Sequence, residues 1–202
     1  MKCLLCGKEL GKGSLRDILI GDDPLCEECR SQWQKRPLVT ELDGIRMDAD
    51  YVYDHAFSSA LIQYKECHDE ALQKIFLYEV RGKLRRRYRG YTLLMMPSSM
   101  EKYRERGFSH LRRMYSCLGL PVLEPFVKKD DRTQKKMNRK EREGMIHDIR
   151  LDSSIMIPEK IVLCDDTVTT GSTLRGALSC IDRNRHEIRI YSVSANASWY
   201  AH

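Results

Sequence analysis

Apolar residues in this chain are grouped in two ways, and each grouping predicts a different element. Tyr91-Thr-Leu-Leu-Met-Met96, closed by Pro97, and Lys160-Ile-Val-Leu-Cys-Asp165 are continuous apolar runs of strand length. Such runs suit strands covered on both faces of a parallel sheet. Glu187-Ile-Arg-Ile-Tyr-Ser-Val193 reads as a further strand, Asp50–Ala56 as a short aromatic-rich one, and Pro121-Val-Leu123 as another. From Ser58 to about Arg87, Leu61, Tyr64, Leu72, Ile75, Phe76 and Val80 recur at helical spacing. They predict one or two helices, broken near His68-Asp69. Further helices are expected over Phe108–Leu118 and from about Thr173 to Arg183. Strand, helix and strand between Lys160 and Val193 make a βαβ unit. The predicted class is α/β, with a mostly parallel sheet flanked by helices.

Two stretches fit neither grouping. Residues 30–47, with breaks at Pro37 and Gly44, read as a connection. Residues at about 127–150 are rich in Lys and Arg and poor in apolar side chains, so they read as a mobile basic loop or short helix. The expected division is a cysteine-bearing segment and linker at 1–47, then an α/β domain at 48–202.

Composition narrows the class. The 202 residues hold 35 Lys and Arg against 29 Asp and Glu, a net charge of +6. That mild figure hides a strong asymmetry, because residues 81–142 alone carry 19 basic and 6 acidic side chains. A basic middle suggests polyanionic partners such as nucleic acid or phosphates. No apolar run approaches the ~20 residues that span a bilayer, so no membrane insertion is expected. The first thirty residues carry charges and cysteines throughout, unlike a secretory signal. Eight cysteines without such a signal suit a reducing compartment, where thiols bind metal more readily than they pair. The expected location is cytoplasmic, with a place at the inner face of the membrane through partners as the alternative.

Four cysteines form two close pairs, Cys3-Leu-Leu-Cys6 and Cys26-Glu-Glu-Cys29. Each C-x2-C turn lets two thiolates reach one ion, and two turns complete a tetrahedral zinc site. A closed four-thiolate site would fold this segment rather than catalyse. A redox dithiol and ordinary buried thiols are the competing uses. Cys67, Cys117, Cys164 and Cys180 are scattered and read as core thiols.

The stretch richest in chemistry is Ile161-Val-Leu-Cys-Asp165-Asp166-Thr-Val-Thr169-Thr170-Gly171-Ser172-Thr173. It leaves a buried strand, passes two carboxylates, and enters a helix through hydroxyl residues and one glycine. In an open α/β sheet ligands bind outside the carboxyl ends of strands, where this turn falls. Thr169, Thr170, Gly171, Ser172 and Thr173 would offer backbone N–H groups and hydroxyls to a phosphate. Asp165 and Asp166 would then face the hydroxyls of an attached sugar. Simple helix capping would account for one acid and one hydroxyl, but not for the whole string.

This string resembles the phosphoribosyltransferase signature, in which paired acids and T-T-G-x-T bind 5-phosphoribosyl-1-pyrophosphate (PRPP). The resemblance implies that Asp165 and Asp166 contact ribose hydroxyls and that Thr169–Thr173 hold the 5′-phosphate. Magnesium would accompany the pyrophosphate. Met96-Pro97 followed by Arg104-Glu-Arg106-Gly107-Phe108-Ser109-His110 is similar to the R-x-R-G-F-N-Q segment of the ComF family of late competence proteins, with Ser109 and His110 in place of Asn and Gln. Arg132-Thr133-Gln134, Arg139-Lys140-Glu141-Arg142 and Tyr64-Lys65 with Asp69 are similar to other elements of that family. The resemblance implies a type I phosphoribosyltransferase-like fold behind a zinc knuckle, and Lys65, Arg106 and Arg139 as groups near the pyrophosphate. It also implies a role in natural transformation beside a helicase-like, DNA-translocating ATPase and single-stranded DNA.

The basic middle fits the last of these on its own terms. Arg85, Arg86, Arg87 and Arg89 lie beside Tyr88 and Tyr91, and Arg104 and Arg106 beside Tyr103 and Phe108. Cations that track a backbone, with aromatic faces for bases, hold single strands without sequence preference. A solvated charged face over core aromatics is the plainer use of the same residues. Three functions stay open at this point: a DNA-uptake protein that binds PRPP, an active phosphoribosyltransferase of unknown acceptor, and a PRPP-sensing regulator without turnover.

Overall fold

A computed structural model describes residues 1–10, 23–98, 103–105, 107–128 and 149–201. Strands β1 (Lys35–Leu42), β2 (Ile45–Val52), β3 (Thr92–Met95), β4 (Val122–Leu123), β7 (Lys160–Val168) and β8 (Glu187–Ala195) form one sheet. Its order is β1-β2-β8-β7-β3-β4. Only the edge pair β1–β2 is antiparallel; β2–β8, β8–β7, β7–β3 and β3–β4 are all parallel. The two apolar runs become the adjacent strands β3 and β7 in the middle of the sheet. Leu93, Leu94, Ile161, Val162, Leu163 and Cys164 are fully buried there, as covered parallel strands require. The expected α/β class with a mostly parallel sheet holds.

The chain also forms helices α1 (Glu27–Ser31), α2 (His55–Glu66), α3 (Arg81–Arg87), α4 (His110–Tyr115) and α5 (Ser172–Leu178). Asp54 caps α2 by accepting from the Phe57 N–H at 2.9 Å. The helical pattern between Ser58 and Arg87 breaks where expected, at His68, whose φ of 57° no helix tolerates. Ser109 caps α4 in the same way as Asp54 caps α2.

The connection expected over 30–47 proves to be structured. It supplies α1's last turn, β1 and the start of β2. Asp43 and Gly44 both have positive φ, 51° and 77°, the type I′ turn whose twist matches a hairpin. Pro37 is tolerated because β1 is an edge strand, and the register is irregular between Lys35 and Leu38. The strand expected from Asp50 therefore begins earlier, at Ile45, and ends at Val52.

Of the basic segment at 127–150, residues 129–148 lie outside the described residues. Its ends are strands: β5 (Phe126–Lys128) pairs antiparallel with β6 (Ile149–Leu151).

Trp33, Tyr51, Phe57, Phe76, Tyr64 and Phe108 pack edge-to-face, tilted or stacked, with ring centroids 4.9–5.7 Å apart. This cluster joins β2 and α2 to Trp33, just after α1, and each ring pair adds on the order of 1 kcal/mol beyond its buried area.

Candidate functional site

The chain crosses from β3 outward to β4, and from β7 the opposite way to β8. The carboxyl ends of β3 and β7 therefore flank a topological switch point, where an open α/β sheet leaves a crevice. β7 brings Asp165 and Asp166 there, and Met96, Pro97 and Ser98 follow β3 on the other side. Register places Cys164 beside Met95, one residue before the acidic pair.

The two carboxylates have different surroundings. Asp166 is buried, and its Oδ2 accepts from Lys65 Nζ at 2.8 Å and from His110 Nε2 at 2.7 Å. Burial alone would raise its pKa, but the Lys65 ammonium and the His110 contact outweigh that and hold the carboxyl well below the usual range. Asp165 Oδ1 accepts from the Asp166 N–H at 2.9 Å. Burial, and then the neighbouring Asp166 charge, push the Asp165 carboxyl up to about 7. The backbone under the pair is fixed on both sides. Tyr115 Oη donates to the Asp165 carbonyl at 2.8 Å, and Ser194 Oγ to the Asp166 carbonyl at 3.1 Å.

The turn that follows has the shape its glycine requires. Gly171 stands at φ 78°, and a Cβ built on it would lie 3.1 Å from Leu42 Cδ1. Arg175 ties the turn down by donating to the Thr170 carbonyl at 2.8 Å while Nε reaches Asp43 at 3.1 Å. Trp199 Nε1 donates to the Thr169 carbonyl at 2.6 Å. Asp165, Thr169, Gly171, Ser172 and Thr173 line one small concavity.

A larger cavity of ≈ 260 Å³ adjoins the acidic pair across His110. Met95, Met96, Tyr103, Phe126 and Val127 give it apolar walls, and Ser98, His110, Glu124 and Lys128 supply polar atoms.

The structure thus gathers Asp165, Asp166, the 169–173 turn and Lys65, residues more than a hundred positions apart. Arg106 and Arg139 lie outside the described residues. Sequence reasoning missed His110 as a partner of Asp166, along with Tyr115, Arg175 and Trp199; His110 stood out only as a departure from a Gln. Trp199 and Tyr115 carry no local signal, since each reaches a backbone carbonyl from a distant element.

The proposed nucleic-acid residues fall elsewhere. Arg85, Arg86, Arg87 and Arg89 are exposed, as is Arg104. Lys83 meets Asp50 and Arg87 meets Asp48, so α3 runs antiparallel to β2. Its last turn points toward the amino-terminal edge of the parallel strands, away from the acidic pair. Arg87 also neutralises the buried Asp48, at 3.1 Å. The expected aromatic platform is corrected. Tyr88 and Phe108 are buried, and Tyr91 is half-buried with its hydroxyl on Glu187; Tyr103 alone of the four is exposed. The apolar faces of Tyr88, Phe108 and Tyr91 are taken up by the core.

At the amino terminus the four sulfurs of Cys3, Cys6, Cys26 and Cys29 lie within 4.8 Å of one another, a group that could hold a metal ion. Cys6 and Cys26 are 3.7 Å apart. A zinc–thiolate tetrahedron with bonds of ~2.3 Å has edges of about 3.8 Å, so the donor set fits. Gly7 follows the first pair in the left-handed region, φ 73°. Arg30, on α1, ties this segment to the body. It pairs with Asp23 at 2.8 Å, donates to the Ile75 carbonyl at 3.0 Å, and lies 5.0 Å over the Trp33 ring.

Among the described residues no helix is long and apolar enough to cross a membrane. No family model matches the chain. It is 29% identical over 199 residues to competence protein ComFC of Streptococcus pneumoniae, covering 86% of this chain and 90% of that one. It is 27% identical over 212 residues to competence protein ComFC of Bacillus subtilis, covering 89% and 88%. The chain is thus similar, over most of its length, to two proteins named competence protein ComFC.

Proposed function

We propose that this protein acts in competence, in the uptake of DNA, and that it binds a phosphorylated ribose, PRPP, at the carboxyl ends of β3 and β7. The names of its two relatives support the role in competence. The observation that carries the ligand is the acidic pair beside the glycine turn at the switch point, with Lys65 2.8 Å from Asp166. In this reading the 169–173 turn holds the 5′-phosphate with N–H groups and hydroxyls. Asp165 and Asp166 accept from the ribose hydroxyls. Lys65, Arg106 and Arg139 face the pyrophosphate, whose oxygens would also hold Mg²⁺ and let it neutralise their charge. Zinc in the four-cysteine cluster is structural. Single-stranded DNA lies on the arginines of α3 and its following turn, and a helicase-like ATPase is the partner that moves it.

Calorimetric titration with PRPP and Mg²⁺ tests the ligand. Wild type should bind, and Asp165→Asn with Asp166→Asn should weaken binding by an order of magnitude or more, because charge-assisted hydrogen bonds are lost. A silent wild-type titration would remove the sugar-phosphate reading.

The cavity beside His110 favours a second reading, turnover with an acceptor seated among Met95, Met96 and Phe126. The acidic carboxylates would then stabilise positive charge developing at the anomeric carbon. Pyrophosphate release from PRPP with candidate bases or amines, abolished in the double Asp variant, distinguishes turnover from binding alone.

A further inference from the structure

The role of His110 is not explained by sugar or phosphate contacts. Its side chain is buried, and both ring nitrogens have partners: Nε2 stands 2.7 Å from Asp166 Oδ2 and Nδ1 3.4 Å from Ser98 Oγ. The residue's carbonyl accepts from Tyr64 Oη at 2.7 Å, and Ser109 caps the helix it begins. Ring and backbone are therefore held from α2, β7 and the segment after β3. We propose that His110 is a positioning residue of the sugar-phosphate site: it fixes the Asp166 carboxylate through Nε2–H and, on gaining a second proton, adds a positive charge to the wall of that site. The inference rests on the sugar-phosphate reading and deepens it.

The chemistry follows from the contacts. A carboxylate held ionised needs a donor at Nε2, so the neutral ring is the Nε2–H tautomer and Nδ1 accepts from the Ser98 hydroxyl. Lys65 approaches the same oxygen, so two donors turn the carboxylate from one side. Protonation at Nδ1 reverses the Ser98 hydrogen bond without moving the ring. The charged and titratable groups facing this point among the described residues are Lys65 on α2, Asp165 and Asp166 on β7, Glu124 after β4 and Lys128 on β5. At the pair itself Lys65 contacts Asp166 directly, and Lys128 also favours the charged form of Asp165. A further cation there favours a polyanionic ligand, and imidazole is the side chain whose charge ordinarily changes between pH 5 and 8.

The test is PRPP·Mg²⁺ affinity by calorimetry from pH 5.5 to 8.5, on wild type, His110→Gln and His110→Ala, each checked for folding by thermal melting. His110→Gln keeps an N–H donor but takes no proton. It should bind within about twofold of wild type at pH 8.5 and gain less than wild type toward pH 5.5, keeping only the part that comes from protonation of Asp165, which both proteins share. His110→Ala should bind about tenfold more weakly at pH 8.5, through loss of a hydrogen bond to a charged group, and more weakly still toward pH 5.5, because it too takes no proton. If His110→Ala fails to fold, His110→Gln alone decides. Parallel pH profiles for wild type and His110→Gln would overturn the role of His110 while leaving the site intact. Absence of PRPP binding in wild type at all pH values would overturn both the site and this role.

Discussion

At the scale of the residue, the acidic pair sets binding chemistry against stability. Asp165 is raised from its ordinary 3.8 to about 7, so between those values the folded state binds more protons than the unfolded one. Its contribution to stability therefore falls as pH rises from about 4 to 7. Asp166 has the opposite sign, because its pKa is depressed: its contribution is present above the unfolded value and lost as pH falls through the folded one. Asp165→Asn should accordingly melt higher than wild type at pH 8, lose that advantage near pH 4, and bind PRPP more weakly. Thermal melts across that range check it, and a variant less stable at every pH contradicts it. Gly171→Ala should destabilise by about 1–2 kcal/mol, the cost of a Cβ in left-handed backbone, with a further penalty from Leu42 at 3.1 Å. Urea unfolding of that variant measures the loss.

At the scale of the element, α1 connects the cysteine cluster to the body. It carries Cys29 at its centre and Arg30 next to it, and Cys26 Sγ caps its first turn. Metal removal should loosen α1 and withdraw Arg30 from Trp33, which changes Trp33 fluorescence while the sheet's circular dichroism persists. Metal analysis should return one zinc per chain, lost in Cys26→Ser; a chain purified without chelator and free of metal contradicts the site. Arg30→Ala should cost about 3 kcal/mol or more, since Asp23 would keep a largely buried charge without its partner. The spacing C-x2-C twice over made the cluster legible in the sequence, because metal geometry is imposed by short local turns. Arg30 was not legible, because its partners Asp23, Ile75 and Trp33 meet only when α1 docks. The hairpin turn at Asp43-Gly44 carried a local signal, but the Pro in β1 pointed away from a strand.

At the scale of the whole molecule, the sheet separates two candidate anion-binding surfaces. The acidic pair and glycine turn occupy the carboxyl ends of the strands, and the last turn of α3 points the other way. Arg85→Gln with Arg86→Gln and Arg89→Gln should lower single-stranded DNA affinity and flatten its dependence on salt, with PRPP affinity unchanged. These three are chosen because Arg87 also holds Asp48. DNA binding insensitive to both the substitutions and salt contradicts the nucleic-acid reading.

The sequence by itself determined the α/β class, the central strands β3 and β7, the cysteine cluster and the acid–glycine string. All of these follow from short-range periodicity and spacing, which local sterics and ligand geometry dictate. Tertiary structure alone decided that Lys65, His110 and Asp166 meet, because strand order, not sequence distance, brings α2, α4 and β7 to one switch point. It also decided that Tyr88 and Phe108 serve the core: an aromatic beside arginines is the same in sequence whether it stacks a base or fills a cavity, and only burial distinguishes the two.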